Sequence, residues 1–349
     1  MLRSSDSKAN NWLARYGTRG FSVRDTSFRV GADTLPARIY VPTGVSRPPA
    51  IVIVPGVHHL GIDEPRLTSF AAAMADHGIT VFTPAVPDIA DYRITPRSVE
   101  VVGEAIRSLR AEAGAPKVGV LGLSFAGGLA LLAAADPHYS DSTAFVAVIG
   151  AHDDLPRVLR FFATNQIELP DHTMKPMQAH EYGPLVAVYA HPEAFFPAND
   201  AENAHIAIRY LLWEQLDRSH AEAAKLSPEG QRLMKLLYEH HTEALAPVIL
   251  ANIDHYSAEM APVSPHGHLA QMEVPVFLLH GAADNVIPPS ETLWLRSDLP
   301  PAMVRQCLIS PVISHVEMGN KPKLKDELLL VHWMAAVLSE AGGSARPLR

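Results

Sequence analysis

The sequence holds a single cysteine, Cys307, in 349 residues. One thiol cannot close an intrachain disulfide, and a zinc site built on thiolates lacks its ligands. Charge is also scarce. Asp, Glu, Lys and Arg together make up 19% of the chain, acids outnumber bases 37 to 29, and the formal charge is -8. With no basic run, a nucleic-acid partner has no support. No stretch approaches the ~18 uninterrupted apolar residues that a spanning helix needs. Residues 50–55 and 129–135 are the best candidates, and both suit a buried strand or a core helix, so no membrane span is expected. The first twenty residues carry charge without an apolar signal-peptide core. The expectation is a cytoplasmic protein, although a leader removed earlier would leave no trace. What remains is a long chain with 48% hydrophobic residues, too apolar for a disordered tail and too large for a small stapled scaffold.

Along that chain two segments, 21–30 and 35–41, read as strands around the Gly31-Ala32-Asp33 turn, an antiparallel hairpin. Residues 50–54 are continuously apolar, as a strand covered on both faces should be. Helical spacing follows over 65–77, with Leu67, Phe70, Ala71 and Met74 on one face and Gly78 as the stop. Thr95-Pro96 is a helix start, a cap followed by proline at the first position. Strands at 80–82, 118–121 and 145–149 alternate with helices at 96–113 and 125–135, which predicts a parallel α/β sheet.

After Gly150 the alternation stops, and proline-rich turns and long helical patterns take over. The clearest are 201–226 and 228–253, the second opened by Ser227-Pro228. Strands at 274–279 and 304–309, a helix at 290–297 and a closing helix at 323–338 then resume the earlier rhythm. The expected organisation is a polar lead-in over 1–20, an α/β core over 21–150 and 272–349, and a mainly helical cap or lid insertion over 151–271. Helices are expected on both faces of a mostly parallel central sheet.

One segment joins a strand directly to a helix: Gly122-Leu123-Ser124-Phe125-Ala126-Gly127-Gly128. Small residues two places either side of a serine mark a nucleophile elbow, a turn too tight for larger side chains, which leaves the hydroxyl exposed at the sheet's C-terminal edge. Ala126 stands where glycine is commoner. The alternative is an ordinary serine capping a helix. A serine hydroxyl needs a base, and the base an orienting acid. His280-Gly281-Ala282-Ala283-Asp284-Asn285-Val286-Ile287-Pro288 follows one late strand, and Ser314-His315 follows the next. Asp284 is the expected acid, with Asp153 and Asp154 as rivals. His315 is the expected base. His280 is read as structural, and His332 as lying on or near the core.

In the order Ser, Asp, His, these motifs resemble the α/β-hydrolase superfamily over residues 21–150 and 272–340. Within it, the run from Pro48 to Gly56 and the elbow are most similar to the dienelactone-hydrolase-like branch. The namesakes of that branch carry a cysteine nucleophile where this chain has Ser124, so its substrate is not carried over, and Cys307 is read as a small core residue. The resemblance implies a serine hydrolase acting on a small carboxylic ester. Ser124, His315 and Asp284 would form the catalytic triad, and the backbone N–H groups of Val57 and Phe125 the oxyanion hole, with His58 as the alternative to Val57. A peptidase or amidase, a thioesterase, and a non-catalytic binding protein on the same fold stay open as alternatives, as does assembly into a homo-oligomer. His58, His59, His180, Glu181 and Tyr182 are candidate substrate contacts, each also readable as an ordinary loop residue. Among 18 histidines only weak metal patterns occur, such as His266-x-His268, so no metal and no cofactor is expected.

Overall fold

The computed structural model describes residues 18–313 and 323–342. Its strands are β1 (Phe21–Val30), β2 (Asp33–Pro42), β3 (Ala50–Val54), β4 (Thr80–Pro84), β5 (Val118–Leu123), β6 (Thr143–Ile149), β7 (Gln166–Glu168), β8 (Met174–Pro176), β9 (Val276–Gly281) and β10 (Val304–Ser310). Eight of them form one sheet in the order β1-β2-β4-β3-β5-β6-β9-β10. β1 pairs antiparallel with β2, and β2 antiparallel with β4; every other pair is parallel.

Composition explains the positions. β3, β4 and β9 are buried along their whole length. They carry β-branched and aromatic residues on both faces, as strands between two helical layers must. β10, at the end of the sheet, is half-buried over most of its length. Proline and glycine punctuate the helices. Pro96 opens the helix Pro96–Ala113, and Gly114, at φ 57°, closes it in the left-handed conformation. Thr95 does not cap that helix with its side chain; its hydroxyl instead donates to Asp88 Oδ2 at 2.6 Å. The closing helix Leu324–Gly342 buries Leu330, Trp333, Met334 and Val337, and the Trp333 indole N–H donates to the Leu278 carbonyl of β9 at 3.0 Å. His332 lies outside this inward face and is exposed, contrary to expectation.

The chain divides into two compact units. One runs through Asp153 and resumes at Val263; the other is Asp154–Pro262. The second unit is mainly helical and contains the antiparallel hairpin β7–β8, which is too short to leave an alternation in the sequence. Both long helical patterns are broken. The first divides into Ala201–Leu212 and Leu216–Ala223, the second into Pro228–Tyr238 and Ala246–Ile253. Glu214 and His240 cause the breaks. Each adopts positive φ, 57° and 58°, and the next residue's N–H reaches back over the helix end, Gln215 to the Tyr210 carbonyl and His241 to the Leu236 carbonyl. That is a Schellman ending without glycine. Ser227 does cap its helix, accepting from the Gly230 N–H at 3.2 Å. Among the described residues no helix is long and apolar enough to cross a membrane.

Candidate active site

β5 ends at Leu123 and the helix Phe125–Ala135 starts two residues later, leaving only Ser124 to make the turn. Its backbone sits at φ 56°, ψ -136°, a region where a residue with a Cβ is strained by roughly 1–3 kcal/mol. The surroundings hold it there. The Ser124 N–H donates to the Ile149 carbonyl of β6 at 2.8 Å, and its own carbonyl accepts from the Gly127 N–H at 2.8 Å. A Cβ on Gly122 would lie 2.6 Å from the Ala126 carbonyl oxygen and 2.6 Å from Gly127 Cα. Residue 122 can therefore only be glycine, while Ala126 fits as it is, fully buried. The Ser124 side chain makes no capping hydrogen bond to the helix, so the reading of an ordinary N-cap does not hold.

The helix that begins at Phe125 points its N-terminal N–H groups toward the turn, where anionic charge is favoured. The loop after β3 approaches from the other side. A Cβ built on Gly56 would be 3.7 Å from Ser124 Cβ, so Pro55-Gly56-Val57 passes beside the serine. Val57 follows, half-buried. His58 and His59 stack on each other, with ring centroids 4.7 Å apart. His58 Nδ1 also accepts from the Leu60 N–H at 3.2 Å, within a tight turn.

Asp284 lies on the turn after β9 and is buried. Its Oδ1 accepts the N–H groups of Val286 and Ile287, both at 3.0 Å. Its Oδ2 faces the end of β6, since a Cβ on Gly150 would lie 3.3 Å from it. His280, also fully buried, uses Nδ1 toward the Thr292 hydroxyl at 2.6 Å and Nε2 toward the Ile287 carbonyl at 2.8 Å. A carbonyl can only accept, so Nε2 carries a proton; its 3.4 Å approach to Asp284 Oδ2 is the looser of its two contacts on that side. With both ring nitrogens occupied, His280 holds the Asp284 turn in shape. The described chain stops at Ile313, two residues before His315, which lies outside the described residues.

The rival acids have other engagements. Asp154 accepts from the Arg157 N–H at 3.2 Å and caps the helix Leu155–Thr164. Asp153, fully buried, donates its N–H to Glu291 Oε2 at 2.9 Å, and its Oδ2 lies 3.5 Å from His266 Nδ1. His266 Nδ1 is closer still to Asp298 Oδ2, at 2.7 Å. Asp153, His266 and Asp298 thus present donor atoms within 4.8 Å of one another, an arrangement that the sequence pattern His266-x-His268 does not describe; His268 takes no part in it. Cys307 is half-buried on β10, not in the core, and burial pushes its thiol pKa up.

In the second unit, His180 and Glu181 are exposed and Tyr182 begins the helix Tyr182–Ala190. The His180 ring accepts the Tyr182 N–H at 3.2 Å, and Glu181 lies 3.4 Å from His240 Nδ1. This is a helix-start turn with an exposed Glu–His contact.

Sequence reasoning overlooked His152. It follows β6 by three residues, is fully buried, and its ring fills the space where a side chain on Gly128 would go: a Cβ there would lie 2.2 Å from His152 Cε1. The ring also packs 5.3 Å from that of Phe125. The second glycine in Ala126-Gly127-Gly128 was the available signal, because a helix interior does not otherwise favour paired glycines.

No protein-family model and no curated protein matches the sequence. Solved structures do match. The chain is similar to the acylaminoacyl peptidase of Pyrococcus horikoshii over 94% of its own length and 43% of the other, with a TM-score of 0.54 and 15% identity. An uncomplexed form of that protein gives 97% and 44%, a TM-score of 0.54 and 14% identity. An acylaminoacyl peptidase in complex with Z-Gly-Gly-Phe-chloromethyl ketone gives 92% and 41%, with a TM-score of 0.50 and 14% identity. The chain therefore spans about two fifths of the length of these proteins. At such identities the likeness speaks to architecture alone. Together with the strand order and the helical layers, it shows that this chain has the α/β-hydrolase fold.

Proposed function

We propose that the protein is a serine hydrolase that cleaves a carboxylic ester through an acyl-enzyme. The observation that carries this reading is the backbone of Ser124, at φ 56° between β5 and a helix N-terminus, pinned by hydrogen bonds to Ile149 and Gly127. Strain of this kind on a non-glycine residue calls for a role that only a side chain can fill.

In this reading the Ser124 oxygen attacks the ester carbonyl and forms a new C–O bond. The imidazole of His315 takes the hydroxyl proton. The Phe125 N–H and the Val57 N–H, with His58 as its alternative, stabilise the oxyanion. Collapse breaks the bond to the alcohol, which leaves with the proton held by His315; water then repeats the sequence and frees the acid. Asp284 orients the imidazole, and the two N–H groups on its Oδ1 fix the plane of its carboxyl group.

The test is labelling with a fluorophosphonate probe, followed by hydrolysis of p-nitrophenyl esters of graded chain length. Covalent modification at Ser124 with ester turnover is expected. A folded protein that neither reacts with the probe nor turns over any ester would leave the binding-protein alternative standing. A peptidase reading draws on the names of the similar structures, although the chain spans only about two fifths of them. Peptide anilides assayed beside the esters separate the two: preference for the anilides would replace the esterase reading.

A further inference from the structure

Beside the turn at Ser124 lies a fully buried side chain that the proposed mechanism does not use. His152 stands three residues beyond β6. Its ring lies where a Gly128 side chain would be and packs on Phe125. Gly128 lies on the first turn of the helix Phe125–Ala135, three residues after Phe125, whose N–H the proposed mechanism aims at the oxyanion. On its far side, His152 Nε2 lies 2.9 Å from the Val263 carbonyl. A carbonyl can only accept, so Nε2 bears the proton and the donor is the imidazole. Val263 is where the chain returns to the first unit after the residues 154–262. One residue on from His152, the Asp153 carbonyl accepts the His266 N–H at 2.9 Å. The outgoing and returning segments are thus clasped together, and the His152 ring is the part of the clasp that touches the elbow.

An apolar side chain would fill the same volume without leaving a ring nitrogen unsatisfied. His152 Nδ1 is buried and has no hydrogen-bond partner among the described residues, an arrangement that disfavours histidine unless its other nitrogen is needed. Burial also pushes the His152 pKa down to about 4, with the Val263 carbonyl pulling weakly the other way. The ring is therefore neutral at pH 7, and its Nε2–H is committed to the Val263 carbonyl.

We propose that His152 is a positioning residue: held by its hydrogen bond to Val263, its ring sets the first turn of the helix Phe125–Ala135, and with it the Phe125 N–H, relative to Ser124. This rests on the hydrolase reading for its catalytic meaning, but its geometric content stands independently. A shift of the donor by a fraction of an ångström weakens stabilisation of the transition state more than binding of the ester. The expected signature is therefore a fall in kcat at nearly constant KM.

Three variants of the full chain test it: His152→Gln, which keeps an N–H able to reach Val263; His152→Leu, which keeps volume and loses the donor; and Gly128→Ala with and without His152→Ala. His152→Leu should lower kcat on a p-nitrophenyl ester by on the order of 10²-fold, comparable with a small misplacement of a reacting group, and His152→Gln should recover most of that loss. Gly128→Ala should be severely impaired and should be relieved by His152→Ala in the double variant, because the added methyl and the imidazole compete for one space. Amide hydrogen exchange over residues 120–130 is the readout that needs no activity, and it should accelerate in His152→Leu. Equal kcat in the wild type and His152→Leu, or equal impairment of the Gly128→Ala single and double variants, overturns the proposal. If the wild type itself is inert, the hydrolase reading fails, and the exchange data alone decide on His152: unchanged exchange overturns it, accelerated exchange supports the geometric part.

Discussion

Ser124 in the α/β core and Glu214 and His240 in the helical unit place non-glycine residues at nearly the same φ, 56°, 57° and 58°. Their surroundings differ. Glu214 and His240 end helices, each followed by an N–H that reaches back to a helix carbonyl, and nothing buried depends on their side chains. Ser124 ends no helix. It begins one, is buried, and is locked between Ile149 and Gly127 with Gly122 crowded beneath it. A positive φ closes a helix in one region, and in the other it goes with ψ -136° at a buried serine that opens a helix. The comparison teaches that strain points to chemistry only where the neighbours forbid its release.

The largest effect that could break this contrast is on activity. Ser124→Ala should lower ester turnover by on the order of 10⁵–10⁶-fold, as removal of the nucleophile does in a serine hydrolase. Ser124→Gly should be equally inactive and yet more stable than the wild type by about 1 kcal/mol, since glycine takes the conformation without strain. Urea denaturation of the three proteins reads the second effect. A Ser124→Gly protein less stable than Ser124→Ala would mean that the turn is not strained. Next in size is the acid. Asp284→Asn should cost about 10⁴-fold in kcat, as loss of the carboxylate that orients a catalytic histidine does. Asp153→Asn should cost far less, and the reverse ranking would transfer the acid's role to the loop after β6.

The contrast between the regions also governs how much could be read from sequence. The central strands were legible because burial on both faces demands unbroken apolar runs such as 50–54. The tight strand-to-helix turn was legible through Gly122, where a Cβ would meet the backbone of Ala126 and Gly127. His152 was not, because its meaning depends on a glycine 24 positions away. In the helical unit the apolar periodicity continues across Glu214 and His240, and neither helix end is marked by the glycine that usually signals left-handed backbone. Sequence reading therefore fuses four helices into two. Asp284 was placed by motif, while the grip of its Oδ1 on two N–H groups became visible only in three dimensions.

Acid sharpens the comparison further. The folded chain holds His152 at a pKa of about 4, below the ordinary 6.5, because burial opposes its charged form. As pH falls through 6.5 the unfolded chain takes up a proton that the folded chain refuses, so this group's contribution to stability is present above 6.5 and is lost progressively down to about 4. The full loss is on the order of 3 kcal/mol. His152→Gln should remove that part of the acid limb, and urea midpoints at pH 7, 5.5 and 4.5 for the two proteins should converge as the pH drops. Parallel curves would show that His152 does not carry it.

The smallest expected effect lies in the helical unit. Glycine at position 214 or 240 removes the Cβ from a left-handed cap and should raise stability by about 1 kcal/mol at each site. For His240 the exposed contact with Glu181, 3.4 Å apart, subtracts little, because even an exposed charged pair contributes at most about 1 kcal/mol. Turnover should not change in either variant, whereas glycine at position 124 trades all activity for a similar gain in stability. Melting temperature and ester turnover measured on Glu214→Gly, His240→Gly and Ser124→Gly together therefore separate the two settings of a positive φ. A loss of turnover in Glu214→Gly would give the helical unit's own strain a functional part and would erase the distinction.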